Sequence, residues 1–346
     1  MKILYGIQST GNGHIIRAKE MIPALRKLGC EVETILSGDT EKKIINSEIF
    51  EPSQRKRGLT FVTESGKIKY LQTIKELNLV KFYTDIFSYE PKGVDLIITD
   101  YEPITARIAK RYKIPSIGIG HLYAFYYDVP VTDKNLIGNL VMKQFAPVDI
   151  PLGLHWHHYN QPILPPTIPP DVKPAKKVIE NKILVYLPFE DISSIKKHLK
   201  NIKEYDFYVY CNINKAKDEG NLHLRPFSRK NFVKDLGECI GIICNSGFSL
   251  LSEALHLGKK ILTKPVEKQV EQESNALALE QLNLGTVSKN LSEYKVKKWL
   301  KLPPPKPMEF PEVIPNLARW IAKGEWDDTE ALVKEMWRES LLTIRK

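Results

Sequence analysis

A turn of small residues, Asn245-Ser246-Gly247, stands between the apolar run Ile240 to Cys244 and a helical repeat of Leu250, Leu251, Ala254, Leu255 and Leu257 that stops at Gly258. The run reads as a buried strand and the repeat as the helix it feeds. Such a turn leaves the first helical N–H groups without intrahelical partners, and with the helix dipole they form a site for an anion, most often phosphate. Glu253 lies one turn further in, where a carboxylate can accept hydrogen bonds from vicinal hydroxyls such as those of a ribose. The plainer alternative is a capping turn, with Ser249 as the cap and Glu253 solvated. Proton-transfer chemistry is offered elsewhere. His14 follows the loop Gln8 to Gly13, Asp100 closes the strand Val94 to Asp100, and His121 follows the strand Pro115 to Ile119. In a parallel sheet all three lie at the carboxyl edge, where ligands bind. A histidine suits removal of a hydroxyl proton, and a carboxylate can fix its tautomer and stabilise the imidazolium. Asp100 has the alternative of capping the helix Pro103 to Tyr112, and His14 of capping its own helix. His155, His157 and His158 cluster in the segment 154–158, but no carboxylate or cysteine stands at ligand spacing, so no metal site is expected.

These residues need alternating strands and helices to hold them. Lys2 to Ile7 reads as a strand, Ile16, Met21, Ile22, Leu25 and Leu28 as one helix face ending at Gly29, and Glu31 to Leu36 as the next strand. That alternation opens a parallel, doubly wound domain. Gln54 to Arg57 reads as a basic loop, Leu59 to Thr63 as a strand, Lys67 to Tyr89 as an amphipathic stretch, and Leu154 to His158 as the last strand of the domain. From Gln161 to Pro174 six prolines make a semi-rigid connector. The alternation then restarts with the strand Lys182 to Leu187, the helix Ile192 to Leu199, the strand Asp206 to Cys211, a short strand at Leu222 to Leu224 and a helix at Phe232 to Leu236. Past Asn290 come a short helix, the prolines of 303–307 and two amphipathic helices carrying Trp320, Trp326 and Trp337. The expected division is 1–160, a linker 161–177, a second domain 178–320 and a terminal helix 321–346 that crosses back.

At 346 residues, 42% hydrophobic and 27% charged, the chain has the composition of a two-domain globular protein, not a disordered one. No run approaches the roughly 18 apolar residues of a membrane span, and the first residues do not form a signal peptide. Cysteines 30, 211, 239 and 244 show no CxxC spacing and read as reduced thiols of a cytoplasmic protein. A formal charge of +10 favours anionic partners: nucleotide sugars, phospholipid surfaces or nucleic acid.

Ser246-Gly247, the helix Glu253, Pro265 and then Glu271-Gln272-x-x-Asn275-Ala276 together resemble the donor-binding half of GT-B glycosyltransferases. The nearest type is family 28, which includes the lipid-linked N-acetylglucosaminyl transferase of peptidoglycan synthesis. The resemblance implies an α/β fold of two doubly wound, Rossmann-like domains facing across a cleft. It places Ser246 and Gly247 at the diphosphate, Glu253 at the ribose, and Glu271 and Gln272 at the donor sugar, although the family often has Asp at the first of that pair. Ser249 and Phe227, which follows the strand 222–224, join the donor-binding set. Gly11, Gly13 and His14 resemble the first loop of the fold, which faces the acceptor, with His121 at the same edge. Family 1 enzymes of this fold use a His–Asp pair at places similar to His14 and Asp100.

The expected activity is therefore transfer of a sugar, a hexose or N-acetylhexosamine, from a nucleoside diphosphate donor such as a UDP-sugar to an unidentified acceptor. Inversion with a His14 base is expected, because retaining members carry a second Glu eight positions before the first, and here that position is Asn245. No metal or other cofactor is expected, since helix N–H groups can stabilise the departing diphosphate. A lipid-linked acceptor would bring peripheral contact with the inner membrane face, for which Arg55, Lys56 and Arg57 are suited. The rival readings are a nucleotide-sugar 2-epimerase of the same fold and a non-enzymatic polyanion-binding protein. Against the latter, no nucleic-acid motif is present.

Overall fold

The structure, a computed structural model, describes residues 1–38, 44, 47–59, 63–64, 67–68, 78–132 and 143–344. In the first domain β1 (Lys2–Gln8), α1 (Asn12–Lys27), β2 (Glu31–Ser37) and β3 (Ser53–Lys56) come first, followed by the small hairpin β4 (Thr63–Glu64) and β5 (Lys67–Ile68). Then come α2 (Leu79–Phe87), β6 (Leu96–Asp100), α3 (Pro103–Tyr112), β7 (Ser116–Gly120), β8 (Ile150–Leu154) and β9 (Ile163–Leu164). The seven-stranded sheet runs β3-β2-β1-β6-β7-β8-β9, with every pair parallel. Parallel strands covered on both faces must be apolar throughout, and Ile3, Leu4, Tyr5, Ile7, Leu96, Ile97 and Ile98 are all buried.

The second domain repeats the plan with β10 (Lys182–Tyr186), α4 (Ile192–Leu199), β11 (Asp206–Tyr210), β12 (Lys217–Glu219), β13 (Leu222–Arg225), α5 (Arg229–Glu238), β14 (Gly241–Cys244), α6 (Phe248–His256), β15 (Lys260–Thr263), α7 (Val270–Gln281), β16 (Thr286–Val287) and α8 (Glu293–Leu300). Its sheet runs β12-β13-β11-β10-β14-β15-β16, antiparallel only at β12. Each sheet thus has a switch point: chain order reverses on either side of β1 in the first and of β10 in the second. Loops leaving adjacent strands there diverge to opposite faces and open a crevice. The loops after β1 and β6 flank the first crevice and those after β10 and β14 the second.

Two helices close the chain. α9 (Val313–Lys323) packs on α1, and α10 (Thr329–Ile344) lies against β9, where the Trp337 indole N–H donates to Ile163 O at 2.7 Å. The return to the first domain therefore begins at α9, earlier than residue 321. β9 extends the first sheet past residue 160, because residues 163–164 pair with β8 before the prolines take over. The strand expected at 154–158 ends at Leu154. His155, His157 and His158 instead accept backbone N–H groups through Nδ1, from Trp156, Tyr159 and Asn160. Gln54 to Lys56 is an edge strand, not a loop. Residues 60–62 of the expected strand at 59–63 and 69–77 of the stretch 67–89 lie outside the described residues; the end of that stretch is α2.

The domains touch through aromatic rings. Phe248, the first residue of α6, stacks on His121 with ring centroids 3.9 Å apart and planes 2° apart, and on Trp156 at 5.3 Å. Trp156 donates its indole N–H to Ser252 Oγ at 2.8 Å. The segment before α9 is tied to the end of α6, with Met308 N donating to Leu255 O and Phe310 N to His256 Nδ1, each at 3.0 Å. Gly258, at φ +64°, is needed there, since a Cβ would come within 2.8 Å of the Pro307 ring.

Candidate active site

At the first switch point α1 begins at Asn12, so His14 and Arg17, three residues apart, share one helix face. Both reach Asp100 at the end of β6. His14 Nδ1 stands 2.5 Å from Asp100 Oδ1, and Arg17 binds the carboxylate bidentately, Nε to Oδ2 at 2.7 Å and Nη2 to Oδ1 at 2.6 Å. Asp100 is free for this because Glu102 caps α3, accepting from Ile104 N at 2.8 Å and Thr105 N at 2.6 Å. Asp100 is wholly buried, which by itself would raise its pKa; Arg17 and His14 outweigh burial and hold it below the usual carboxylate range. The carboxylate fixes Nδ1–H on the ring and leaves Nε2 as the proton acceptor. Because Arg17 already balances the charge of Asp100, the aspartate orients the ring more than it stabilises an imidazolium.

At the second switch point α6 starts at Phe248 with Gly247 as N-cap and no side-chain cap, Ser249 included. A Cβ on Gly247 would meet nothing within 4 Å, so open space adjoins the uncapped N–H groups. Ser246 does not share in it. Its N–H donates to Gln272 Oε1 at 3.1 Å, its hydroxyl bonds Thr263 Oγ1 at 2.8 Å, and its carbonyl accepts from Asn275 Nδ2 at 2.9 Å. Gln272 also accepts from Val266 N at 3.0 Å, so this side chain braces the turn. Ser249 meets the first loop instead: a Cβ on Gly13 would fall 2.6 Å from its Oγ. Gly11 adjoins the His14 ring, where a Cβ would lie 2.8 Å from Cδ2 and 3.3 Å from Nε2.

Glu253 is buried at 3% exposure and held by Arg229 Nη1 at 3.0 and 3.2 Å, while the other face of the guanidinium binds Asp171 of the connector at 2.9 and 3.0 Å. Burial raises the Glu253 pKa and Arg229 opposes the rise. Glu20, near the same group of charges, is pushed up to about 7 by burial first and then by Asp171, against Arg229 and Arg17. Glu271, at the start of α7, is raised by burial and lowered by His14, a coupling that reaches from one domain to the other. Phe227 is half exposed, its ring edge-on to Tyr186 at 6.0 Å. His121 is buried, with Nδ1 2.9 Å from Leu154 O and Nε2 2.5 Å from Asn275 Oδ1. Burial lowers its pKa to about 4, so it is neutral at pH 7 and its single N–H serves one of these two oxygens. It is an interface residue and is not placed to act as a base. Arg17 and Asn275 stand within the motifs read from sequence but had been given no role of their own, and Arg229 had not been singled out. The i, i+3 spacing of His14 and Arg17 was the available signal for the first.

This arrangement sets a partly exposed, oriented imidazole on one domain against an uncapped helix N-terminus and a buried carboxylate on the other. The sequence matches the model of the family described as glycosyl transferase family 1 over residues 1–304. The chain belongs to that family. Among solved structures this glycosyltransferase is similar to the glycotransferase of kitacinnamycin, at 13% identity and TM-score 0.61, covering 99% of this chain and 98% of that one. It is also similar to LpCGTa in complex with UDP (12%, 0.59, covering 98% and 99%) and to MurG of Acinetobacter baumannii (14%, 0.51, covering 98% and 94%). At such identities the likeness establishes the fold, which is GT-B over the whole chain. No curated protein matches the sequence. No helix among the described residues is long and apolar enough to cross a membrane.

Proposed function

We propose that this glycosyltransferase moves a sugar from a nucleoside diphosphate donor, a UDP-sugar, to a hydroxyl of an acceptor held by the first domain, with inversion. The observation that carries the reading is the 2.5 Å contact of His14 with Asp100 at one switch point, set opposite the uncapped start of α6 at the other. His14 Nε2 takes the acceptor proton as the hydroxyl oxygen attacks the anomeric carbon. The N–H groups of Gly247, Phe248 and Ser249 take the charge that develops on the departing diphosphate. Glu253 receives the ribose hydroxyls, Phe227 borders the base, and Glu271 and Gln272 border the sugar.

The reaction in this reading needs no metal, because dipole and N–H groups do the work of a cation. A nucleoside diphosphate is supported by the complexes of LpCGTa with UDP and of SsfS6 with thymidine diphosphate, and the motif around Ser246 and Gln272 keeps the likeness to family 28 open at the level of substrate. That likeness would make the acceptor lipid-linked and the protein a peripheral visitor to a membrane. The test is a thermal-shift screen against nucleotide sugars, followed by incubation with the best binder with and without acceptor alcohols. Stabilisation by a UDP-sugar and acceptor-dependent UDP release, unchanged by EDTA, are expected. Epimerised sugar without acceptor would replace transfer by epimerisation.

A further inference from the structure

The second switch point carries an ion pair that the donor reading does not use. Glu190, in the loop after β10, bonds the ammonium of Lys264, the residue that follows β15. β14 runs between those two strands, so the pair spans the end of β14, where Asn245-Ser246-Gly247 leads into α6. Lys264 is fixed against that same turn. Its N–H donates to Cys244 O at 2.9 Å and its carbonyl accepts from Asn245 Nδ2 at 2.9 Å. The two charged side chains are mostly buried, 18% and 24% exposed. Beside them Asn245, itself 6% exposed, has a buried Oδ1 with no hydrogen-bond partner among the described residues, and Gly247 borders open space.

We propose that Lys264 is the cation that receives the donor's diphosphate, and that Glu190 is its resident counter-ion, displaced when the donor binds. This deepens the donor-site reading above and rests on it. An anion drawn to the start of α6 arrives where the ammonium already is, and one acceptor is exchanged for another without any covalent step: phosphate oxygens replace the carboxylate, which turns out to solvent. A mostly buried ammonium without a partner would be costly, so the carboxylate keeps the empty site neutral. It also sets a threshold. A ligand must compete with a tethered carboxylate, which a diphosphate with several charges does and a single weak anion does not.

The test is calorimetric titration of wild type, Glu190→Gln, Lys264→Met and the double variant with UDP, inorganic pyrophosphate and uridine. Removing the competitor should tighten UDP and pyrophosphate by about 5- to 20-fold, and removing the cation should weaken both by about 10- to 100-fold, the range of one charge-assisted contact. In the Lys264→Met background the Glu190→Gln gain should disappear, and Lys264→Arg should keep most of the affinity. Uridine, which has no phosphate, should not distinguish Glu190→Gln from wild type. A merely structural ion pair predicts the opposite for Glu190→Gln, a loss of affinity along with stability. If UDP binds wild type and Glu190→Gln is equal or weaker, or if its gain persists without Lys264, the counter-ion proposal is wrong while the donor site stands. If wild type binds neither UDP nor pyrophosphate, both readings fail. Glu190→Gln is nearly isosteric, so it carries the test even if Lys264→Met does not fold.

Discussion

The two sheet edges that face each other handle charge in opposite ways. At the first, a wholly buried carboxylate is saturated: Asp100 takes two bonds from Arg17 and one contact from His14, and the neighbouring helix has its own cap in Glu102. At the second, α6 starts without a side-chain cap and beside open space, and the nearby Lys264 is paired with Glu190. One edge is complete before any ligand arrives, as the proposed base must be if its ring is to be held for attack. The other edge is completed only by an anion. Acid–base work and donor binding should therefore separate by domain, and substitutions should sort accordingly.

The largest expected effect is on turnover. His14→Ala should lower kcat by about 10²–10⁴-fold with donor affinity nearly unchanged, the usual worth of a general base. Asp100→Asn should cost less, as it disturbs orientation without removing the base. Steady-state kinetics set beside UDP titration checks both, and a matching loss of UDP affinity in His14→Ala would break the division of labour.

Next is stability. Arg17→Met leaves Asp100 buried without its main partner and should destabilise the fold by about 3–5 kcal/mol in urea unfolding. Asp100 has a depressed folded pKa, so its contribution is present above the unfolded value near 4 and is lost as pH falls through the lower folded value. In Arg17→Met burial raises the folded pKa of Asp100 towards or above the unfolded value, so that acid loss should shrink or reverse.

Glu253→Ala should weaken UDP by about 10- to 100-fold, one charge-assisted hydrogen bond, while kcat at saturating donor changes little. Unchanged UDP affinity in a folded variant would remove Glu253 from the donor site and leave it a partner of Arg229.

The smallest effect tests where the two edges meet. Glu20 has a folded pKa of about 7, raised from 4.5, so the folded state binds the extra proton. Stability should fall as pH rises from 4.5 to 7, by on the order of 1 kcal/mol after allowance for solvent screening. Glu20→Gln should flatten that part of the melting-temperature profile; an unaltered slope would assign the pH dependence to other groups.

The alternation of strands and the turn at 245–247 were legible because parallel strands must be apolar throughout and turns must be small. His14 and Asp100 were legible because both follow strands that end at one edge. What sequence did not disclose depends on long-range packing. Ser246 lies at the turn, but its N–H, hydroxyl and carbonyl are all taken by Gln272, Thr263 and Asn275, partners 17 to 29 residues away. The roles of Arg17 and Arg229 appear only once the carboxylates they hold, Asp100, Glu253 and Asp171, are placed beside them. β9 escaped because a two-residue strand bounded by prolines has no periodicity to detect.

The chain passes between the domains twice, once after β9 and once before α9, and both passages are rich in proline, at 165–174 and at 303–311. Extended proline segments resist bending, so the two bodies are joined by a pair of stiff straps. A single flexible tether would let one body tumble; two straps leave a swing about the line joining them and oppose twist. The second strap is fastened to the far end of α6 through Leu255 and His256. Any such swing is therefore delivered along α6 as a rigid rod, about 13 Å for nine residues at 1.5 Å each, to the turn at its other end. The opening that admits a donor and the closing that brings it to His14 would then be a single hinged stroke.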